Sequence, residues 1–250
     1  MIQSVSGSRL EPLLRKLEFW QQLNDAERSA VLGLPHEVER FAPGKYVVRQ
    51  GSAAKYSCLM LSGFSFRHKI TGDGGRSIVA VHMAGDMVDL QNSLLEIADH
   101  SVQTLTEAEV ALISREHVVR LALDYPKVGM AMWYDTLVDG SIFREWIANI
   151  ARRDAAARLS HLLCEFGVRL QALGLGERDS FELPMTQEQL ADATGLTAVH
   201  VNRTLKDLEA QALITRTHRY VAVGDWDRLQ KAADFDDSYL HLARTESVLS

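Results

Sequence analysis

The segment MTQEQLADATGLTAVHVNRTLKDLEAQALI, from Met185 to Ile214, limits the folds open to this chain more than any other. Pro184 stops whatever precedes it, and Thr186 followed by Gln189 reads as a capping box, so the spacing predicts a helix from Gln187. Leu190 and Ala191 face inward on it, and Ala191 is small where a following helix would cross closely. Thr194-Gly195 ends the helix, because glycine takes positive φ without a Cβ penalty. Thr197 then caps a second helix to about Ala210, with Val201, Leu205 and Leu208 on one face at i, i+4 and i+7. The opposite face carries Val199, His200, Asn202, Arg203 and Lys206. An ordinary helical hairpin does not require this order of cap, small residue, glycine, cap and aliphatic. A helix-turn-helix does, and its second helix enters the DNA major groove. The residues expected to meet DNA are Thr186, Thr197, Ala198, Val199, His200, Asn202, Arg203 and Lys206.

The next stretch, ALITRTHRYVAVGDW, reads as strand, turn and strand. Such a hairpin would be a wing, with Arg216, His218 and Arg219 at or near its tip, where a duplex backbone could be touched. The alternative is a solvated turn that is basic by chance. The formal net charge of the 250-residue chain is -6, which argues against coating nucleic acid by bulk charge but leaves room for a local basic face. Half of that excess lies near the C-terminus, where the last 26 residues hold six acids and three bases.

Upstream the pattern differs. From about Arg40 to Arg115 the chain has short alternating runs, KYVVRQG, SCLMLSG, FSFRHKI, RSIVAVHMAGD and EVALIS, each bounded by Gly, Ser or Asp. Gly44, Gly51, Gly63, Gly74, Gly75 and Gly85 punctuate them at the spacing of a small antiparallel roll or barrel. Before this lies a helical stretch, SRLEPLLRKLEFWQQLNDAERSAVLGL, with Asn24 or Asp25 as the cap of a helix ending near Gly33.

After the roll, Pro126 fits near the start of the longest helix. Two apolar series run along it with steps of three and four. Trp133, Leu137, Gly140 and Ile147 form one, interrupted by Arg144; Met132, Thr136, Phe143, Trp146 and Ile150 form the other. One stripe would suit the helix's own domain, and two suggest a second subunit as well. Asp154 can cap a new helix ended by Gly174. These signals divide the chain into a roll with N-terminal helices (1–125), a dimerisation helix and hinge (126–153), a winged helix-turn-helix (154–234) and an acidic tail (235–250). The fold class is α+β.

No apolar run approaches a membrane span, and the N-terminus has no long apolar core of a signal peptide. Two isolated cysteines, Cys58 and Cys164, suit a reducing cytoplasm.

In this order, roll, long helix and winged helix-turn-helix, the chain resembles the Crp/Fnr superfamily of bacterial transcription regulators. The resemblance rests on FAPGKYVVRQGSAAKYSCLMLSGFSFRH for the roll, AGDMVDL for the start of a phosphate-binding cassette, RDAAARLSHLL for the hinge, and LADATGLTAVHVNRTLKDLEAQALI for the recognition unit. It implies a homodimer on a palindromic promoter site, with double-stranded DNA as partner and RNA polymerase as a possible one.

Two departures bear on the effector. Where cyclic-nucleotide-binding members carry Gly-Glu-Leu, this chain has Asp89-Leu90-Gln91; where they carry Arg-Ser or Arg-Thr, it has His100-Ser101. A neutral His and an acidic Asp make a poor anion cradle, which argues against cyclic AMP. An effector pocket, if present, is expected near Asp89, Leu90, His100 and Ser101. Two cysteines cannot supply the four thiolates of an iron–sulfur cluster, and lone histidines at 68, 82, 100 and 117 are a weak basis for haem, so no cofactor is expected.

The recognition helix departs too. Many members place a Glu where Val199 stands, to accept from cytosine N4; valine can only contact a thymine methyl, while Arg203 keeps the position of the family's guanine reader. Two other readings stay open. His82, Asp86, Asp89 and His100 could be a metal site of a cupin-like enzyme, though none forms a close His-x-His pair, or the chain could be a small-ligand module with no DNA role.

Overall fold

The computed structural model describes residues 8–242; the first seven residues, and the last eight of the tail expected at 235–250, lie outside them. The chain divides into two compact units, 1–69 with 80–139, and 70–79 with 140–250.

The first unit opens with helices α1 (Glu11–Trp20) and α2 (Asp25–Leu32). Asn24 caps α2 in a reciprocal capping box with Glu27, as its sequence predicts. The strands β1 (Glu37–Phe41), β2 (Tyr46–Val48), β3 (Tyr56–Ser62), β4 (Ser65–Ile70), β5 (Arg76–His82), β6 (Ser101–Thr104) and β7 (Ala108–Ser114) form two antiparallel sheets. Their orders are β1-β7-β3 and β2-β6-β4-β5. Val48, Cys58, Met60, Val88, Ala98, Val102, Ala108 and Val110 fill the interior of this roll. Gly63 takes φ +76° at the β3–β4 turn, and a Cβ there would stand 2.3 Å from the Glu107 carbonyl oxygen. Only glycine satisfies both conditions.

A second core joins α1 and α2 to the roll. Leu10, Leu13, Leu14 and Leu17 pack with Leu59 and Ile113, with Val118 of α3 (Arg115–Asp124), and with Val128, Ala131 and Met132 of α4 (Pro126–Arg152). Two strands carry no signal in the sequence: β1, whose EVERF residues are exposed or half-buried and show no alternation, and the four-residue β6.

Helix α4 contributes 126–139 to the first unit and 140–152 to the second. The series Trp133, Leu137 and Ile147 is exposed, at 60%, 56% and 67%, and Met130 extends it at 46%. Gly140 is half-buried on the same line. The second series needs correction in part: Met132 and Trp146 are buried and Phe143 and Ile150 half-buried, but Thr136 is exposed, and Val128, Ala131, Val138 and Ile142 complete the buried face. Thr136 turns its hydroxyl back to the Met132 carbonyl at 3.0 Å, which a hydroxyl can do on a helix surface.

In the second unit Asp154 caps α5 (Ala155–Ala172), accepting from Ala157 N at 2.9 Å. The helix is buried along most of its length; beside Gly167 the Arg178 carbonyl oxygen lies where a Cβ would meet it at 2.2 Å. Strands β8 (Ser180–Glu182), β9 (Ile214–Thr217) and β10 (Tyr220–Val223) make a sheet in the order β8-β10-β9. Helices α6 (Gln187–Thr194), α7 (Ala198–Ala210) and α8 (Trp226–Ala233) complete it. The expected acidic tail is corrected in part: from 235 to 242 the chain packs, with Phe235 and Leu240 buried. Tyr239 donates to Glu165 at 2.8 Å, and its ring stacks on buried His161. Apolar residues between the acids of this segment account for the docking.

Candidate nucleic-acid interface

Local chemistry builds the α6–α7 corner. Thr186 accepts from Gln189 N at 3.2 Å, and Gln189 Oε1 accepts from Thr186 N at 2.8 Å, which starts α6 at the predicted residue. Gly195 ends it with φ +65°, and Leu196 N donates to the Ala191 carbonyl at 3.1 Å. The last carbonyl, that of Thr194, accepts from Arg158 Nη1 of α5 at 3.2 Å, so a cation sits at the negative end of the helix. Thr197 caps α7 by accepting from His200 N at 3.2 Å. Leu190 and Ala191 of α6, and Val201, Leu205 and Leu208 of α7, are buried as expected.

The outward face of α7 follows from this. Val199 is 80% exposed, an apolar side chain held in water at the first turn. Arg203 and Lys206 are exposed, and neither makes an ion pair among the described residues. A shallow hollow is lined by Gln187, Ala198, Val199, Asn202, Arg203 and Lys206. Five of those six belong to the expected set; Gln187 does not. Thr186 and Thr197 are exposed, each with its hydroxyl engaged in a cap, and His200 is half-buried.

The wing forms as predicted, with His218 and Arg219 at the turn between the paired residues Thr217 and Tyr220. His218 adopts φ +57° there, and both turn residues are exposed. Arg216 requires correction. Its Nε and Nη2 donate to the two carboxylate oxygens of Glu209 on α7 at 3.1 and 2.9 Å. A bidentate pair of this kind fixes both side chains, so Arg216 braces the wing against α7; Arg219 at the turn is exposed and makes no ion pair among the described residues.

The expected effector residues are placed apart in function. Asp89 is 1% exposed and points into the roll, where Oδ1 accepts from Cys58 N at 2.6 Å and Oδ2 from Asn92 Nδ2 at 3.3 Å. Burial pushes its carboxyl up to about 6. Leu90 packs toward the core of α1 and α2. His100, also buried, has Nδ1 2.6 Å from Asp99 Oδ1; burial, then the nearby Arg67 charge, lowers its pKa. Ser101 Oγ accepts from Gln50 N at 3.0 Å. Arg67, which no motif in the sequence marks, is a cation 3% exposed inside the roll. It donates to Asp139 Oδ2 at 2.8 Å and to the Val88 carbonyl at 2.5 Å. Of the carboxylates considered for a metal, Asp86 is paired with Lys16 and accepts from Met83 N.

Comparison with known proteins agrees with this layout. The family model described as a Crp-like helix-turn-helix domain matches residues 157–232, and that of the cyclic nucleotide-binding domain matches 38–125. The transcriptional activator protein FnrL of Cereibacter sphaeroides is 27% identical over 86% of this chain and 87% of its own. A probable transcriptional regulator, flp, of Lacticaseibacillus casei is 27% identical over 87% of this chain and 94% of its own. Among solved structures, FixK2 from Bradyrhizobium japonicum superposes with a TM-score of 0.73 at 22% identity, covering 80% of this chain and 98% of that one. With both domains in this order, the chain belongs to the Crp/Fnr superfamily of bacterial transcription regulators.

Proposed function

We propose that the protein binds a palindromic promoter site as a homodimer, with α7 in the major groove of each half-site, and regulates transcription there. The observation that carries this reading is the outward face of α7, where Arg203 and Lys206 stand exposed and without an ion pair among the described residues. Arg203 donates two parallel hydrogen bonds to guanine O6 and N7, Val199 and Ala198 meet thymine methyls, and Lys206, Arg219 and the capped N-terminus of α7 meet phosphates. The exposed stripe of α4 supports the dimer, and the relatives named as transcriptional activator and regulator support the regulatory role. RNA polymerase is then a candidate protein partner, and the compartment is the cytoplasm, where buried free Cys58 and Cys164 stay reduced.

Cyclic AMP is not the effector in this reading. Neither Asp89 nor His100 offers an outward cation or a ribose-binding carboxylate, and Arg67 is already bound to Asp139. Calorimetry with cyclic AMP tests that point. No metal, cluster or haem takes part.

The base reader is tested on a duplex that the protein selects from a random pool. Arg203→Ala is expected to relax preference at one symmetric pair of positions, losing about 1–3 kcal/mol of discrimination per half-site. Lys206→Ala is expected to weaken all sequences alike and to lower the salt slope by about one. Equal weakening of every sequence by Arg203→Ala would make Arg203 a phosphate contact and overturn the placement of α7.

A further inference from the structure

Asn202 sits on α7 beside Arg203, and its side chain does not stand alone. Nδ2 donates to Oε1 of Gln187, the first residue of α6, at 3.0 Å. Both residues are half-buried and line the same hollow as Val199, Arg203 and Lys206. Among the described residues neither side chain has another hydrogen bond.

An asparagine amide presents a carbonyl oxygen on one side and two N–H donors on the other. The two ends are nearly the same size, so an unbraced amide on a helix surface can turn over and offer either end. Adenine is matched in one orientation at a time, with the amide oxygen accepting from N6 and an N–H donating to N7. In the arrangement seen, Gln187 turns Oε1 rather than Nε2 toward Asn202, and an oxygen only accepts, so this contact holds the Asn202 amide in one of the two orientations. One N–H of Asn202 is taken by Gln187, and the remaining N–H and Oδ1 are the pair that adenine needs.

We infer that Gln187 is a positioning residue for base readout: it locks the Asn202 amide so that the protein prefers adenine at the base pair next to the guanine read by Arg203. This rests on the reading of α7 as the base-contacting helix. Gln187 touches no base in this arrangement and acts through Asn202.

The experiment measures binding to duplexes altered one base pair at a time, using the full chain and its Gln187→Met, Gln187→Glu and Asn202→Ala variants. Methionine keeps the length but removes the carbonyl acceptor; glutamate keeps the acceptor and adds a charge that phosphates repel. The wild type is expected to prefer adenine at one symmetric pair of positions by roughly tenfold or more. Asn202→Ala abolishes that preference. Gln187→Met lowers it severalfold while the guanine preference and the thermal midpoint stay as in the wild type. Gln187→Glu weakens every duplex alike and keeps the adenine preference, a rescue that a merely structural role would not give. An adenine preference unchanged in Gln187→Met, or a loss spread over all positions, overturns the inference. A guanine preference with no adenine preference beside it overturns this inference alone, whereas a wild type that binds no duplex overturns the DNA reading as well.

Discussion

Asp89 carries a charge that the roll interior handles badly. It satisfies the backbone N–H of Cys58 and the Asn92 amide, yet burial raises its carboxyl to about 6. In the unfolded chain a carboxyl titrates near 3.9, so between about 4 and 6 the native state binds more protons. Stability from this group therefore falls as pH rises through that window and stays lowered above it. His161 acts in the opposite sense. Burial, then the Arg153 charge, lowers its pKa to about 4, so the unfolded chain binds more protons there and stability rises with pH. The two trends overlap in a whole-protein pH curve, and a substitution separates them. Asp89→Asn keeps the acceptor for Cys58 and removes the charge. It is expected to raise unfolding free energy by about 2–3 kcal/mol at pH 7.5, a gain that shrinks toward pH 4. Urea unfolding at pH 5 and pH 7.5 measures this; an equal gain at both would mean the carboxylate is not the strained species.

Residues governed by local rules were legible before the fold was known. The caps Asn24, Asp154, Thr186 and Thr197 and the turn residue Gly195 need only neighbours within a few positions. Asp89 meets a strand backbone 31 residues away, Arg67 meets Asp139 72 residues away, and Gln187 meets Asn202 across a helical corner. No periodicity encodes such pairs. Arg216 looked like a free tip cation only because Glu209, seven residues earlier, shows no contact with it in the linear pattern.

Among the elements, α4 has most to explain. Met130, Trp133, Leu137 and Ile147 lie exposed on one line, connected through Gly140 and Arg144 by steps of three and four, while the opposite face is buried in its own chain. Large apolar side chains aligned in water over several turns mark a seam for another helix. Changing Trp133 and Leu137 together to Glu is expected to give monomers, with operator binding lost, because one recognition helix cannot hold a two-half site. Sedimentation of the double variant as an unchanged dimer would place the seam elsewhere. The stripe was legible from spacing, but the identity of the buried face was not: Thr136 fits the period and is exposed, and its place is filled by Val128, Ala131, Val138 and Ile142. Period alone fixes neighbours along a helix, not which arc meets the core. Strands β1, β6 and β8 escaped notice; β1 is exposed or half-buried along its whole length, so its sequence carries no alternation of apolar and polar faces.

At the scale of the whole molecule, a chain with a formal net charge of -6 binds DNA only through a local surface that excludes its acids. In the proposed reading that surface is the outward face of α7 and the β9–β10 turn, in a unit where α5, the α6–α7 corner and the wing follow in chain order. In the proposed homodimer, the twofold symmetry of the protein has to appear in the DNA. The most direct measurement is selection of bound duplexes from a random pool by the purified full chain. The expected result is an inverted repeat with half-site centres about one helical turn, ~34 Å, apart, and a fixed guanine in each half. Affinity for it should fall with salt in proportion to the phosphates contacted, with a slope near -0.9 for each. Enrichment of no sequence, or of a single unrepeated site, would contradict a homodimer reading DNA through α7.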